Sequence, residues 1–82
     1  MIVKYFAWIK SITKIEEELI EDSNIVDINS LIKFLKKKYP KLKEHFNKKD
    51  FIRIAVNLEY TYENTKLVPK DEIALFPPVS GG

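Results

Sequence analysis

Side chains able to do covalent or metal chemistry are scarce in this sequence, and the scarcity narrows the choice. The 82 residues include no cysteine and one histidine, His45. Disulfides, CxxC redox pairs, thiolate nucleophiles and cysteine-ligated zinc or iron–sulfur clusters are thereby excluded. A single imidazole also excludes multi-histidine metal sites. A Ser-His-Asp triad would have to draw that ring from a lysine-rich stretch, so His45 reads as a surface residue. Both glycines, Gly81 and Gly82, stand at the end of the chain, where average usage would scatter about six along it. Neither a P-loop nor a GxGxxG fingerprint can be built without internal glycines. The reactive group that survives this elimination is the terminal carboxylate of Gly82. It rides on a Gly-Gly pair that can thread a narrow channel because no Cβ obstructs a close approach.

The residues leading to that pair support the same reading. Pro77 and Pro78 fix extended, polyproline-like geometry and cannot donate to a sheet, so the chain is expected to leave the folded body there as a semi-rigid arm. In most proteins a terminal Gly-Gly is a frayed end. Here a stiff apolar Pro77-Pro78-Val79 stem precedes Ser80, Gly81 and Gly82, and a predicted strand ends directly at that stem. The expected organisation is one domain over residues 1–76 and an extended tail over residues 77–82.

The elements that must present the tail are predicted from periodicity. The β-branched and aromatic run from Ile2 to Ile9 predicts a strand with Val3, Tyr5, Ala7 and Ile9 on one face. Ile15–Ile20 is ambiguous, and its brevity favours a second strand in a hairpin with the first. Asp27 is a good N-cap for the one clear amphipathic helix, in which Ile28, Leu31, Ile32, Leu35 and Tyr39 recur at helical spacing. Pro40 ends that helix, and a further short turn can be pinned by Leu42 and Phe46. Period-two patterning then predicts strands over Phe51–Asn57, Leu58–Glu63 and Glu72–Phe76, with Ile73 and Leu75 inward and Ala74 and Phe76 outward. The order β-β-α-β-β-β implies an α+β domain, a mixed sheet packed on one main helix.

That arrangement leaves the other sheet face uncovered. Phe6, Trp8, Ala55, Tyr60, Ala74 and Phe76 are expected there, and an apolar patch of this kind ordinarily meets a partner. The 14 basic and 12 acidic residues nearly balance, so composition gives no strong field for nucleic acid or membrane. The lysine-rich stretch from Lys33 to Lys49 reads as a solvated face, because Phe34, Tyr39 and Phe46 fall at core positions and not as stacking platforms. No apolar run approaches the ~20 residues of a membrane span and the start is no secretory signal, so a cytoplasmic location is expected.

Ala55-Val56-Asn57, the run Pro69-Lys70-Asp71-Glu72-Ile73-Ala74-Leu75-Phe76-Pro77-Pro78-Val79-Ser80-Gly81-Gly82 and the opening Tyr5-Phe6-Ala7 together resemble the small subunits of molybdopterin synthase. The similarity spans the chain and is most specific in its ending. Lys70-Asp71 replaces the usual Gly-Asp turn, and Lys10–Asp27 and the lysine-rich helix match loosely. The resemblance implies a ubiquitin-like β-grasp fold and a carrier that supplies no catalytic groups. Gly82 would be adenylated by a partner of the ubiquitin-activating type, which uses ATP and magnesium, and then converted to a thiocarboxylate. The large synthase subunit, the partner in a heterotetramer that this resemblance implies, would receive the tail and move sulfur to cyclic pyranopterin monophosphate, building the molybdopterin dithiolene. Gly81 would give channel clearance, Pro77, Pro78, Val79 and Ser80 would line the tail's path, and Phe76, Phe6 and Tyr60 would anchor the large subunit. The chain itself would bind no cofactor or metal. The runner-up roles are a sulfur carrier for thiazole synthesis or tRNA thiolation, or a ubiquitin-like protein modifier.

Overall fold

The computed structural model describes residues 1–47 and 52–78. Five strands, β1 (Ile2–Tyr5), β2 (Glu17–Leu19), β3 (Arg53–Val56), β4 (Glu59–Thr61) and β5 (Glu72–Phe76), form one sheet in the order β2-β1-β5-β3-β4. The central pair, β1 and β5, runs parallel, and the remaining pairs are antiparallel. Three helices, α1 (Trp8–Thr13), α2 (Ile28–Lys38) and α3 (Lys43–Asn47), and a 3-10 turn at Pro40–Leu42 complete the described elements. The mixed sheet on one main helix agrees with the α+β expectation.

The core lies between the inner sheet face and α2. Val3, Tyr5, Ile73 and Leu75 point inward from the central strands to meet Ile28, Leu31 and Leu35 of α2, with Ile9 and Leu42 closing one end. Asp27 caps α2 as its residue type foretold. Its carboxylate accepts the Ser30 amide at 2.8 Å, and Ser30 Oγ accepts the Asp27 amide at 3.1 Å in return. Tyr39, ahead of Pro40, leaves the helical region, and Leu42 and Phe46 pin the short turn and α3 beyond it.

The first strand is shorter than expected, and the next segment is a helix. The strand ends at Tyr5; Ala7 turns the chain with φ 53°, and the Ile9 amide donates to the Phe6 carbonyl at 3.2 Å to start α1. Ile9 is buried as the alternation demanded, but from a helix: Ile9, Ile12 and Thr13 form one helical face against the core. Three or four residues of period two and the first turn of a helix bury the same positions, which is why periodicity misassigned this stretch. Trp8 is consequently absent from the outer sheet face. It is half-buried with its ring 4.5 Å from that of His45, so His45 is a partly buried packing partner and not the surface residue expected.

The third and fourth strands are also shorter than their patterning predicts. Asn57 and Leu58 form the tip of the β3–β4 hairpin with φ 51° and 70°, the left-handed conformation that a two-residue turn needs to match strand twist. Leu58 therefore belongs to the turn and not to the fourth strand. Phe51, the expected start of the third strand, lies outside the described residues.

Candidate functional site

The outer sheet face is assembled by register. Ala55 pairs with both Ala74 and Tyr60, and Arg53 pairs with Phe76, so all of these side chains stand on the face turned away from α2. Phe6 comes directly after β1 and is held beside β5 by its amide, which donates to the Leu75 carbonyl at 3.1 Å. Tyr60 and Phe76 rings pack 5.5 Å apart. Phe6, Ala55, Leu58, Tyr60, Ala74, Phe76 and Pro77 line a shallow, mostly apolar groove of about 540 Å³. Small residues at the floor and aromatic rings at the rim give it a shape that accepts a protruding apolar side chain.

The groove reaches the root of the predicted tail, since Pro77, its first residue, lines the groove beside Phe76, the last residue of β5. Phe6, Tyr60 and Phe76, far apart in the sequence, are thus brought onto one surface, where Phe6 is 47% and Tyr60 63% exposed. Pro77 is half-buried and Pro78 exposed. Val79, Ser80, Gly81 and Gly82 lie outside the described residues. Leu58 escapes sequence reasoning: it is 89% exposed at the hairpin tip, and the signal available was Asn57, a residue type that tolerates left-handed backbone and so marks a turn.

Polar groups anchor this surface from beneath. Asn57 donates from Nδ2 to Asp71 at 2.9 Å and accepts the Glu72 amide at 3.0 Å, tying the hairpin tip to the start of β5. At the opposite sheet edge, Glu18 accepts hydrogen bonds from Tyr5 at 2.6 Å and Tyr39 at 2.5 Å and pairs with Lys38. Burial alone would raise the Glu18 pKa, but the donors Lys38, Tyr39 and Tyr5 together hold it below the usual carboxylate value. Burial and the same carboxylate push the Tyr39 hydroxyl up to about 12, and raise Tyr5 further.

No group of three or more His, Asp or Glu side chains among the described residues is placed to hold a metal ion. No helix among them is long and apolar enough to cross a membrane. Among the described residues the site is an apolar groove with Pro77 in its lining.

A mixed five-stranded sheet with a parallel central pair, grasping one main helix, makes this a ubiquitin-like β-grasp domain. The ThiS family model matches residues 3–82, and the chain belongs to that family. It is 35% identical over 65 residues to the molybdopterin synthase sulfur carrier subunit of Mycobacterium tuberculosis, covering 79% of this chain and 75% of that protein. A Pyrococcus furiosus structure assigned as molybdopterin converting factor subunit 1 superposes with a TM-score of 0.84 at 32% identity over 95% of each chain. A complex of subunits 1 and 2 of molybdopterin-converting factor from Helicobacter pylori contains a chain 33% identical to this one, with a TM-score of 0.68 over 99% of this chain and 96% of that one.

Proposed function

We propose that this chain is the sulfur carrier subunit of molybdopterin synthase, with residues 1–76 as the docking domain and residues 77–82 as the sulfur-bearing tail. The observation that carries the reading is that Phe76 and Pro77, the residues on either side of the proposed boundary between domain and tail, both line the apolar groove. The names of the relatives support the same pathway, and the Helicobacter pylori complex supports a large-subunit partner.

A free carboxylate is a poor acyl donor. In the proposed cycle the Gly82 carboxylate attacks the α-phosphorus of ATP on a separate adenylating enzyme, and pyrophosphate leaves with its magnesium. Sulfur delivered at the oxidation level of hydrosulfide then displaces AMP from the mixed anhydride and leaves a C-terminal thiocarboxylate. Its ionised sulfur attacks a side-chain carbon of cyclic pyranopterin monophosphate in the large subunit as a C–O bond to that carbon breaks, water then cleaves the acyl–sulfur bond and returns the tail as the carboxylate, and two charged carriers supply the two sulfurs of the dithiolene. Acid–base groups, ATP and magnesium belong to the partners, and this chain binds no cofactor of its own. Phe76, Phe6 and Tyr60 anchor the large subunit through buried aromatic area. Pro77, Pro78, Val79 and Ser80 line the path into its pocket and Gly81 supplies clearance. The setting is cytoplasmic, and the assembly with the large subunit is a heterotetramer.

The test is reconstitution. Chain carrying the thiocarboxylate, mixed with the large subunit, should co-elute with it and convert cyclic pyranopterin monophosphate to molybdopterin. Conversion by the thiazole synthase partner with none by the large subunit would redirect the reading to the thiamine carrier.

A further inference from the structure

Ala55 and Ala74 stand opposite each other in register on adjacent strands, on the side of the sheet turned away from the core. Both strands are paired on each of their edges, β5 with β1 and β3, and β3 with β5 and β4. Folding alone would not choose alanine here. Alanine is depleted in strands, and β-branched or aromatic residues facing each other across a pair hold a sheet together better than two alanines do. The neighbours are all larger. Across the sheet the row runs Lys4, Ala74, Ala55, Tyr60, and Phe76 follows two residues along β5 on the same face.

The two methyl groups make a floor. Ala55 is 7% exposed and Ala74 half-buried, below the bulkier side chains of Tyr60, Phe76 and Leu58, which line the same groove. Lys4, at the β1 end of the row, is paired with Glu72 at 3.2 Å and takes no part in the lining. No charged side chain lines the groove, and the Tyr60 hydroxyl is its one polar side-chain group. Small-molecule sites combine apolar walls with several convergent polar groups, which are missing here. An apolar side chain of another protein needs only a pocket of matching shape.

We propose that Ala55 and Ala74 are specificity-determining residues of the docking face: their smallness keeps open a hole for one apolar side chain that projects from the large subunit. The inference rests on the proposed carrier function and names the chemistry by which that partner is read. The occupant belongs to the large subunit because Pro77, the first residue of the tail, lines the same groove, so a surface that receives the tail lies against the hole. A larger residue at either position fills the hole with this chain's own atoms. It strengthens the sheet and excludes the partner, so stability and binding change in opposite directions.

The test is isothermal titration of the full-length chain into the large subunit, with urea denaturation in parallel, for wild type, Ala74→Gly, Ala74→Val and Ala74→Leu. The valine and leucine variants should keep a urea midpoint at or above that of wild type while binding about fivefold to 100-fold more weakly, leucine more than valine. Ala74→Gly should lower the midpoint and bind within about threefold of wild type. A purely structural role would move both readouts the same way. Should the leucine variant misfold, Ala74→Cys replaces it: the chain has no other thiol, so the protein is folded first and the side chain then enlarged with benzyl methanethiosulfonate, with the same loss of affinity expected. Valine and leucine variants that bind as tightly as wild type, or more tightly, would overturn the hole and leave the carrier function standing. Failure of wild type to bind the large subunit would overturn the carrier reading and the hole with it. A wild-type chain that dimerises on its own in sedimentation velocity, and that Ala74→Leu returns to monomer, would put a second copy in the groove and also overturn the proposal.

Discussion

The Tyr5 hydroxyl donates a 2.6 Å hydrogen bond to Glu18, joining a central strand to an edge strand beneath the site. Tyr39 donates to the same carboxylate oxygen at 2.5 Å, and Lys38 engages the other oxygen, so one partly buried acid ties β1, β2 and the end of α2 together. The carboxylate is the shared acceptor of three donors. Removing it leaves two tyrosine hydroxyls to find water or go unpaired.

Glu18→Leu should therefore destabilise the fold by about 2–4 kcal/mol, measured by urea denaturation, since two partly buried hydroxyls lose their acceptor together. Glu18→Gln, which keeps an acceptor oxygen, should cost about half as much. A loss below about 0.5 kcal/mol for the leucine variant would show that the network adds nothing to stability.

The same network sets two pH limits. The Glu18 pKa is lowered in the folded state, so its contribution is present above the unfolded value and disappears as pH falls through the folded one. Tyr39 is raised from 10.0 to about 12, so its contribution is complete below the unfolded value and disappears as pH rises between the two. The urea midpoint of wild type should have an acid limb that Glu18→Gln flattens, and an alkaline limb between about pH 10 and 12 that Tyr39→Phe flattens. Unchanged limbs in both variants would contradict the assignment.

Leu58 occupies a left-handed position where a β-carbon costs about 1–2 kcal/mol, yet it is the most exposed large apolar residue described. Leu58→Gly should raise stability by about 0.5–1 kcal/mol while weakening association with the large subunit at least about tenfold. Isothermal titration and thermal denaturation read the two effects separately. Tighter binding by the glycine variant would show that the side chain has no place in the interface.

Phe76→Asp places a charge where the groove meets the tail. Association should weaken by about 30-fold or more, the loss of one aromatic anchor of about 2 kcal/mol or greater, with the far-ultraviolet circular dichroism spectrum preserved. Undiminished co-elution on size exclusion would remove Phe76 from the interface.

Much of this architecture was legible because local signals were unambiguous. Asp27 followed by Ile28, Leu31 and Leu35 at helical spacing specified α2 and its cap, and the alternation Ile73-Ala74-Leu75-Phe76 specified β5 and the direction of each side chain. Phe6, Tyr60 and Phe76 could be placed on one face from patterning, without knowledge of how the strands pair. Illegible stretches were those where two periods agree or where conformation contradicts residue type. Ile9 satisfies both a strand reaching from Val3 and the helix that holds it, and Ala7, with φ 53° and no glycine to announce the turn, hid the boundary. Leu58 is a strand-like residue forced into a turn by the pairing of β3 with β4. His45 reads as exposed among lysines because its partner, Trp8, is distant in sequence.

In the proposed function the chemistry takes place on the carboxylate of Gly82. Intact mass spectrometry after incubation with the adenylating enzyme, ATP, magnesium and a sulfur donor tests it most directly. The full chain should gain the mass difference of one sulfur replacing one oxygen, with fragmentation placing it on Gly82, and a chain lacking Gly82 should gain nothing. An equal gain in the truncated chain, or none in the full one under conditions that activate a known carrier, would contradict it.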